Sequence, residues 1–330
     1  MTKRLIIFFV FIVSIFSVLA EAEKESVADA STHATPVTVV LDWTVNTNHT
    51  GLYVALDKGY YKDTGLDVSI VSPPETGGAS LVVAGKAQFF VSYQEEITYA
   101  RAAGTKLKAL AAVIQHNTSG FAARKEEGIN TPRDFEGKTY GGWGSPMEEA
   151  VIQALMKRYD ADYSKVKNVS VGAVDFFAAT EGDVDFMWIF YGWDGIAAGL
   201  KGVDISYIPI AEIEPSLDYY TPVLASSDQY ISEEPHITKA FVMATAKGYQ
   251  YAIEHPEEAA QILLKYAPEL DHDLVLASQK YLAGQYAKDA ERWGQMKLSV
   301  WHDFAAWLKE NGLLEGSFSP EDAFTNEFLP

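Results

Sequence analysis

VTVVLDWTVNTNHTGLYVALDKGYYKDTGLDV, residues 37–68, decides the fold of this chain. Its opening run, Val37–Leu41, is apolar and β-branched and predicts a buried strand, and a second strand is predicted at Leu66–Val71. Between them, apolar residues at helical spacing predict a short helix that ends at Gly59. This order of elements is a βαβ unit. Such units build open α/β sheets, whose ligands bind where strand ends meet helix starts.

The loop that follows the first strand carries the residues that such a site needs. Asp42, Trp43, Asn46 and His49 all lie in it, so we predict that this loop contacts a ligand. The alternative is an ordinary polar turn in which Trp43 packs into the core. For His49, a ligand contact and a role without ligand contact are equally open.

The composition excludes several classes of protein. The chain has 330 residues, 48% of them hydrophobic, which is enough for two lobes. Its formal charge of −19 argues against nucleic acid or an anionic membrane surface as the main partner. The absence of cysteine excludes disulfides, thiolate catalysis and cysteine-bound metal. The seven histidines are scattered singly, so no metal site is expected.

Residues 1–20 have the pattern of a cleaved signal peptide. Lys3 and Arg4 precede the uncharged run Leu5–Leu19, and small residues follow at its end. About fifteen apolar residues are few for a membrane span. Residues 21–36 are polar and predict a disordered leader. We therefore expect an exported protein.

Two series of alternating strands and helices follow the opening unit, and they predict two α/β lobes with mainly parallel sheets. We expect the first lobe to comprise residues 37–122 and 222–330, and the second, inserted lobe to comprise residues 123–221. The chain is predicted to cross between them near Ser119–Ala123 and Tyr220–Ser226. From Glu233 onward, helical spacing of apolar residues predicts helices that pack on the first lobe.

Aromatic residues recur at or just beyond the ends of the predicted strands, and they favour a flat ligand. Aromatic walls hold a planar ring by stacking at ring distances of about 4.5 to 7 Å. Carboxylates at the same strand ends would accept hydrogen bonds from an exocyclic amine. For each acid the alternative is capping of a helix start, and for Glu148 the two roles are equally open. Including one glycine whose backbone amide would donate, the candidate ligand-binding residues are Asp42, Trp43, Asn46, His49, Tyr93, Glu95, Gly142, Glu148, Trp188, Tyr191, Trp193, Asp194 and Tyr219.

Four stretches carry a resemblance to a known family: DWTVNTNHTGLYVALDKGYYKDTGLDV, VVAGKAQFFVS, GKTYGGWGSPMEE and DFMWIFYGWDG. With them the chain resembles, over about residues 37–330, the solute-binding proteins of ABC importers for thiamine pyrimidine precursors. The resemblance implies a type II periplasmic-binding-protein fold with a ligand cleft between the lobes. It also implies a monomer outside the cytoplasm that binds formylaminopyrimidine or a related aminopyrimidine, docks on a membrane permease, and uses no cofactor.

The same superfamily contains an enzyme that makes the thiamine pyrimidine from pyridoxal phosphate and its own histidine. In the register of the resemblance, the cofactor lysine and the donor histidine of that enzyme fall at Ser92 and Glu96. Its cysteine-rich iron-binding run falls at about Ser216–Tyr220. These reactive groups are absent from the sequence, so binding is favoured over synthesis. The same match equates Trp43 and His49 with site residues of the enzyme.

A different small organic solute, such as a sulfonate, is the alternative ligand. An anion would require an arginine at the cleft, and Arg101, Arg124 and Arg133 are not obviously placed there. Hydrolysis of the formamide has no recognisable Ser-His-Asp or metal constellation to carry it.

Overall fold

The two predicted series of strands form two separate five-stranded sheets in the computed structural model, which describes residues 34–172 and 174–330. The predicted signal peptide and nearly all of the predicted leader lie outside the described residues. In chain order the strands are β1 Thr35–Val40, β2 Leu66–Val71, β3 Phe89–Ser92, β4 Leu107–Ala112, β5 Ser119–Arg124, β6 Thr139–Gly142, β7 Lys167–Ser170, β8 Phe186–Phe190, β9 Ile205–Pro209 and β10 Val223–Ser227.

Each sheet is mixed and contains one reversed strand. The first sheet has the order β2-β1-β3-β10-β4, in which β1 and β3 are parallel and β10 is antiparallel to both of its neighbours. The second has the order β7-β6-β8-β5-β9, in which β6 is parallel to β7 and β8, and β5 is antiparallel to β8 and β9. The predicted α/β fold with two mainly parallel sheets is confirmed.

The helices follow the signals in the sequence closely. The helix Pro146–Arg158, for example, begins with a Ser145 cap and a proline at its first position, and ends with two basic residues. The α-helices are Thr50–Asp57, Tyr60–Asp63, Gly77–Val83, Gln94–Ala102, Pro146–Arg158, Phe176–Thr180, Ile196–Lys201, Ile210–Ile213, Asp228–Glu233, Pro235–Glu254, Pro256–Tyr266, His272–Ala283, Leu298–Glu310 and Pro320–Ala323. In the described part of the chain, no helix combines the length and the hydropathy that crossing a membrane requires.

The crossings between the sheets differ from the prediction. Ser119–Arg124, which contains the whole predicted first crossing, is strand β5 of the second sheet, and Val223–Ser227, which contains most of the predicted second crossing, is strand β10 of the first. The chain therefore crosses at residues 113–118 and 210–222. The segments are tied together, because the Val113 amide donates to the Pro222 carbonyl at 2.9 Å. Since strand ends connect directly to these short segments, the carboxyl edges of the two sheets lie close to each other.

The long helix Pro235–Glu254 covers the core of the first sheet. Its Phe241 stacks on Phe89 of β3 with ring centroids 4.0 Å apart and on Tyr61 at 5.3 Å. All three side chains are fully buried. Burial of one such aromatic side chain stabilises a fold by about 1.5–3 kcal/mol.

The helix Leu298–Glu310 corrects the expectation that all C-terminal helices pack on the first lobe. Trp301 lies in a core cluster with residues of the first sheet, whereas Phe304 and Leu308 lie in the core of the second. Phe304 also stacks on Tyr219 of the second crossing at 4.3 Å. Positions 301, 304 and 308 lie on one face of the helix, so the bridging runs along its length. Residues 36–330 form one compact unit.

Candidate functional site

The carboxyl ends of β1 and β3 bring the first group of candidate residues together. Extending the register of this parallel pair places Asp42 level with Ser92 and Trp43 level with Tyr93. Trp43 is 57% exposed and Tyr93 is 40% exposed. Trp43 is therefore not a core residue, and both exposed aromatic residues lie beyond the carboxyl ends of neighbouring strands.

The Asp42 carboxylate is oriented by His49. The two side chains are joined by a 2.7 Å hydrogen bond between His49 Nε2 and Asp42 Oδ1. The other ring nitrogen, Nδ1, accepts from the Asn46 amide at 3.3 Å, so Nε2 carries the proton and donates to Asp42. His49 is fully buried, whereas the Asp42 side chain is partly exposed. His49 thus offers a ligand no surface here, and its position fits a role behind Asp42.

Asn46 has a local role in the same loop. Its Oδ1 accepts from the Asn48 amide at 2.8 Å, and its Nδ2 donates to the Thr44 carbonyl at 3.0 Å. It also caps the short 3₁₀ turn Thr47–His49. The amide group therefore fixes the conformation of the loop that carries Asp42 and Trp43.

The helix Gln94–Ala102 begins directly after Tyr93 and carries two acids in its first turn. Burial raises the pKa of Glu95 to about 7, with further contributions from Glu96 and Glu148. Burial also raises the pKa of Glu96, whose carboxylate accepts from the Ser92 hydroxyl at 2.5 Å. Glu148, which contributes to the raised pKa of Glu95, follows β6 of the second sheet.

The Glu148 carboxylate is occupied by helix capping. It accepts from the Tyr140 hydroxyl at 2.6 Å and from the backbone amides of Trp143, Gly144 and Ser145 at 3.2, 2.9 and 2.8 Å. Four donors engage its two oxygens, and the side chain is almost fully buried. Of the two roles left open by the sequence, capping is the one that this geometry supports.

Gly142 makes room for that cap. A Cβ atom at this position would lie 2.3 Å from Glu148 Oε1 and 2.6 Å from Tyr140 Cε1. Such distances are far below van der Waals contact. The need for glycine here is explained by the folded backbone and does not require a ligand.

The second sheet contributes one exposed tryptophan and one buried one. Trp143 is 51% exposed, and its ring lies 6.1 Å from that of Trp188. Trp188 is an internal residue of β8, buried against Phe121 at 5.6 Å. Phe190, at the end of β8, is exposed and was missed by the sequence reasoning. Strand alternation places it on the same face as Trp188, which is the signal that would have identified it.

The turn Tyr191–Gly195 is a π-helix that carries three candidate residues. Burial raises the pKa of Asp194 to about 6, and its carboxylate accepts weakly from the Phe190 amide at 3.3 Å. Tyr191 packs between Tyr207 at 4.9 Å and Tyr281 at 5.4 Å. Trp193 is partly buried and packs on the core of the first sheet. Tyr191 and Trp193 thus contact other protein side chains.

Tyr219, on the second crossing, connects the site to the bridging helix. It is buried, and its pKa is raised by burial and then by Glu95 and Tyr93. Asp42, Trp43, Tyr93 and Glu95 follow the carboxyl ends of β1 and β3, Tyr219 lies on the second crossing, and Trp143 and Glu148 follow β6 of the second sheet.

The arrangement does not resemble a metal or anion site. In residues 34–172 and 174–330, no three His, Asp or Glu side chains converge in a way that would hold a metal ion. The arginines considered from the sequence are engaged elsewhere. Arg101 pairs with Asp228 at 3.1 Å, Arg124 lies 3.6 Å from a carboxylate oxygen of another acid, and Arg133 donates to a backbone carbonyl.

The chain belongs to the NMT1/THI5-like family, whose model matches residues 46–259. It is 28% identical over 315 residues to the formylaminopyrimidine-binding protein of Halalkalibacterium halodurans, covering 93% of this chain and 94% of that protein. It is also 23% identical over 305 residues to the 4-amino-5-hydroxymethyl-2-methylpyrimidine phosphate synthase of Legionella pneumophila, covering 89% and 92%.

The solved structures similar to this one show the fold. One is the alkanesulfonate-binding protein SsuA from Xanthomonas axonopodis pv. citri bound to MOPS, with a TM-score of 0.67 and 15% identity over 88% of this chain and 98% of that chain. The two-sheet architecture is thus the periplasmic-binding-protein fold. Together with the family and the formylaminopyrimidine-binding relative, it supports a solute-binding role.

Proposed function

We propose that this protein is the extracytoplasmic solute-binding component of an ABC importer, and that it binds formylaminopyrimidine or a related aminopyrimidine precursor of thiamine. The observation that carries the proposal is the exposed Trp43–Tyr93 surface beside an oriented Asp42 carboxylate. A flat amine-bearing heterocycle matches a stacking surface flanked by a hydrogen-bond acceptor. The formylaminopyrimidine-binding relative supports this choice of ligand.

In this proposal the polar groups of the first sheet read the amine edge of the ring. Asp42 accepts from the exocyclic amine, while His49 holds the carboxylate in place from behind. Glu95 titrates near neutrality, so it is present both as an acceptor and as a protonated donor. Donors of the ligand favour the ionised form, because they replace the water lost on burial.

The second sheet supplies the opposite wall. Trp143 and Phe190 are its exposed aromatic residues, and one of them covers the free face of the ring. The aromatic residues of the first sheet (Trp43 and Tyr93) and of the second (Trp143 and Phe190) lie at or beyond strand ends, so in this proposal the bound solute is held between the sheets. The expected partners are the permease subunits in the membrane, and the expected state is a monomer.

Titration calorimetry tests the proposal directly. We expect formylaminopyrimidine and its hydroxymethyl analogue to bind with one site per chain, in the micromolar range or tighter. Mass spectrometry of solute that co-purifies with the protein is the unbiased control. Absence of heat with both pyrimidines at high micromolar concentration, together with a sulfonate in the co-purified fraction, contradicts the assignment.

The synthase names in the family make pyrimidine formation the second candidate. One relative carries that name at 23% identity. In this chain the Ser92 hydroxyl donates to Glu96, at the two positions that the resemblance equates with the enzyme's lysine and histidine. That pair forms no Schiff base with pyridoxal phosphate. Formation of pyrimidine from pyridoxal phosphate by the purified protein would favour this candidate over transport.

A further inference from the structure

A buried chain of hydroxyl groups links the two loops that carry the proposed site. Thr47 lies between Asn46 and His49 in the first loop, and its Oγ1 is 2.6 Å from Ser278 Oγ in the helix His272–Ala283. The Ser278 hydroxyl also bonds to the Gly192 carbonyl in the turn Tyr191–Gly195. One serine therefore connects a loop of the first sheet with a loop of the second.

The direction of these bonds follows from their chemistry. A carbonyl oxygen only accepts, so the single proton of Ser278 goes to Gly192. Thr47 must then donate its proton to Ser278. The Thr47 carbonyl accepts in turn from the Tyr286 hydroxyl at 2.6 Å. The Tyr286 hydroxyl also lies 3.1 Å from Gln279 Oε1, so its proton has two acceptors, whereas the directions of the Thr47 and Ser278 bonds are fixed.

The hydrogen-bonded connection from Thr47 through Ser278 to Gly192 is buried and closely packed. Thr47 and Ser278 are fully buried, so water does not compete for their bonds. A Cβ atom on Gly192 would lie 2.9 Å from Leu282 Cδ2, which shows how closely the turn approaches the helix. Ser278 and Leu282 are four residues apart and share one helix face.

We propose that Ser278 is a positioning residue that couples the Thr44–Thr50 loop to the Tyr191–Gly195 turn. Through Thr47 it fixes the loop that presents Asp42 and Trp43, and through the Gly192 carbonyl it fixes the turn that carries Asp194. Its effect on ligand binding rests on the proposed function, whereas the coupling between the loops does not.

Hydrogen exchange of the ligand-free protein tests the coupling. We expect Ser278→Ala to lower amide protection in both loops together, by about 5- to 30-fold, as loss of a buried hydrogen bond predicts. Ser226→Ala is the matched control, because Ser226 is equally buried and donates to the Gln88 carbonyl at 2.6 Å within the first sheet. This control should change protection in neither loop.

Thr47 provides a second pair of variants in case Ser278→Ala is poorly folded. Thr47→Val keeps the shape and removes the hydroxyl, and Thr47→Ser keeps the hydroxyl. We expect Thr47→Val to loosen the first loop, and Thr47→Ser to restore its protection. In the Ser278→Ala background, Thr47→Val should add little, because the bond is already lost.

Ligand dissociation completes the experiment. With formylaminopyrimidine as the probe, Ser278→Ala should dissociate about 5- to 30-fold faster than Ser226→Ala. Unchanged protection in either loop of Ser278→Ala overturns the inference. If the wild-type protein binds the probe, an unchanged dissociation rate in Ser278→Ala overturns it as well. If the wild-type protein binds no aminopyrimidine, the proposed function fails, and the exchange data alone decide the coupling.

Discussion

Replacement of Trp43 by alanine tests whether this side chain contacts the ligand or packs in the core. In the structure Trp43 is 57% exposed and lies three residues beyond the end of β1. A tryptophan covers up to about 250 Å², so roughly 100 Å² of it remains buried in the ligand-free protein. At about 25 cal/mol per Å² this area is worth at most about 2.5 kcal/mol, and alanine retains part of it. We expect Trp43→Ala to cost about 1–2 kcal/mol without ligand.

The effect on binding should be larger than the effect on stability. Loss of one aromatic stack and the apolar area it covers is worth roughly 2 to 4 kcal/mol, or a factor of about 30 to 1,000 in affinity. Trp301 is the matched control, because it is fully buried in the first core. Trp301→Ala should lower the free energy of unfolding by about 3–5 kcal/mol.

Thermal unfolding with and without formylaminopyrimidine, combined with calorimetry, measures both effects. The midpoint of ligand-free Trp43→Ala should fall by a few degrees, and the ligand should no longer raise it. A ligand-free midpoint as low as that of Trp301→Ala would show that Trp43 is a packing residue. Unchanged affinity in a stable variant would refute the stacking wall itself.

Three further variants test the electrostatics and the cap. Burial raises the pKa of Glu95 to about 7. The stability that this carboxyl contributes is therefore fully present below its ordinary pKa of 4.5 and is lost as the pH rises through 7. Glu95→Gln should flatten the fall of the ligand-free unfolding midpoint between pH 5 and 8. The bond to Asp218 raises the pKa of His116, so its stabilisation is complete below 6.5 and is lost as the pH rises through the raised value. His116→Gln should remove this dependence, as denaturant titrations at several pH values will show. Gly142→Ala forces a Cβ atom to 2.3 Å from the capping carboxylate and should cost about 1–3 kcal/mol in urea unfolding, whereas Gly199→Ala, with open space around it, should not destabilise.

The elements that the sequence predicted well are those with local signals. Leu66–Val71 has the predicted bounds because its buried and exposed residues largely alternate between flanking turns. Phe176–Thr180 also matches, because Asp175 caps it through bonds to the Phe177 and Ala178 amides. Local chemistry alone decides such elements.

Strand partners could not be predicted in the same way. The short apolar run in Ser119–Arg124 reads the same whether it crosses between lobes or pairs within a sheet. Its pairing with β8 and β9 joins residues more than sixty positions apart, and only the folded chain decides it. The Leu298–Glu310 helix posed the same difficulty, since one apolar face does not reveal that successive positions along it meet different cores.

The roles of several site residues depend on side-chain contacts that the sequence does not show. Asp42 and His49 were both placed at the loop, but the bond that buries one behind the other depends on the turn between them. Glu148 and Glu95 both follow a strand and begin a helix. One is engaged by four donors, and the other is buried with a raised pKa beside like charges. Sequence position alone does not separate these two cases.

In the proposed function, the charge of the site discriminates among the ligands that this fold accommodates. The sulfonate-binding SsuA shares the architecture at 15% identity, so the fold does not decide the ligand. Here Glu95 lies near Glu96 and Glu148, and these neighbours add to burial in raising its pKa. An anion placed among them would raise that pKa further and bind against the repulsion. In the proposed function, a neutral or weakly basic ring that donates to Glu95 and Asp42 offsets the burial and repulsion of these carboxylates, which would favour an aminopyrimidine over an anion.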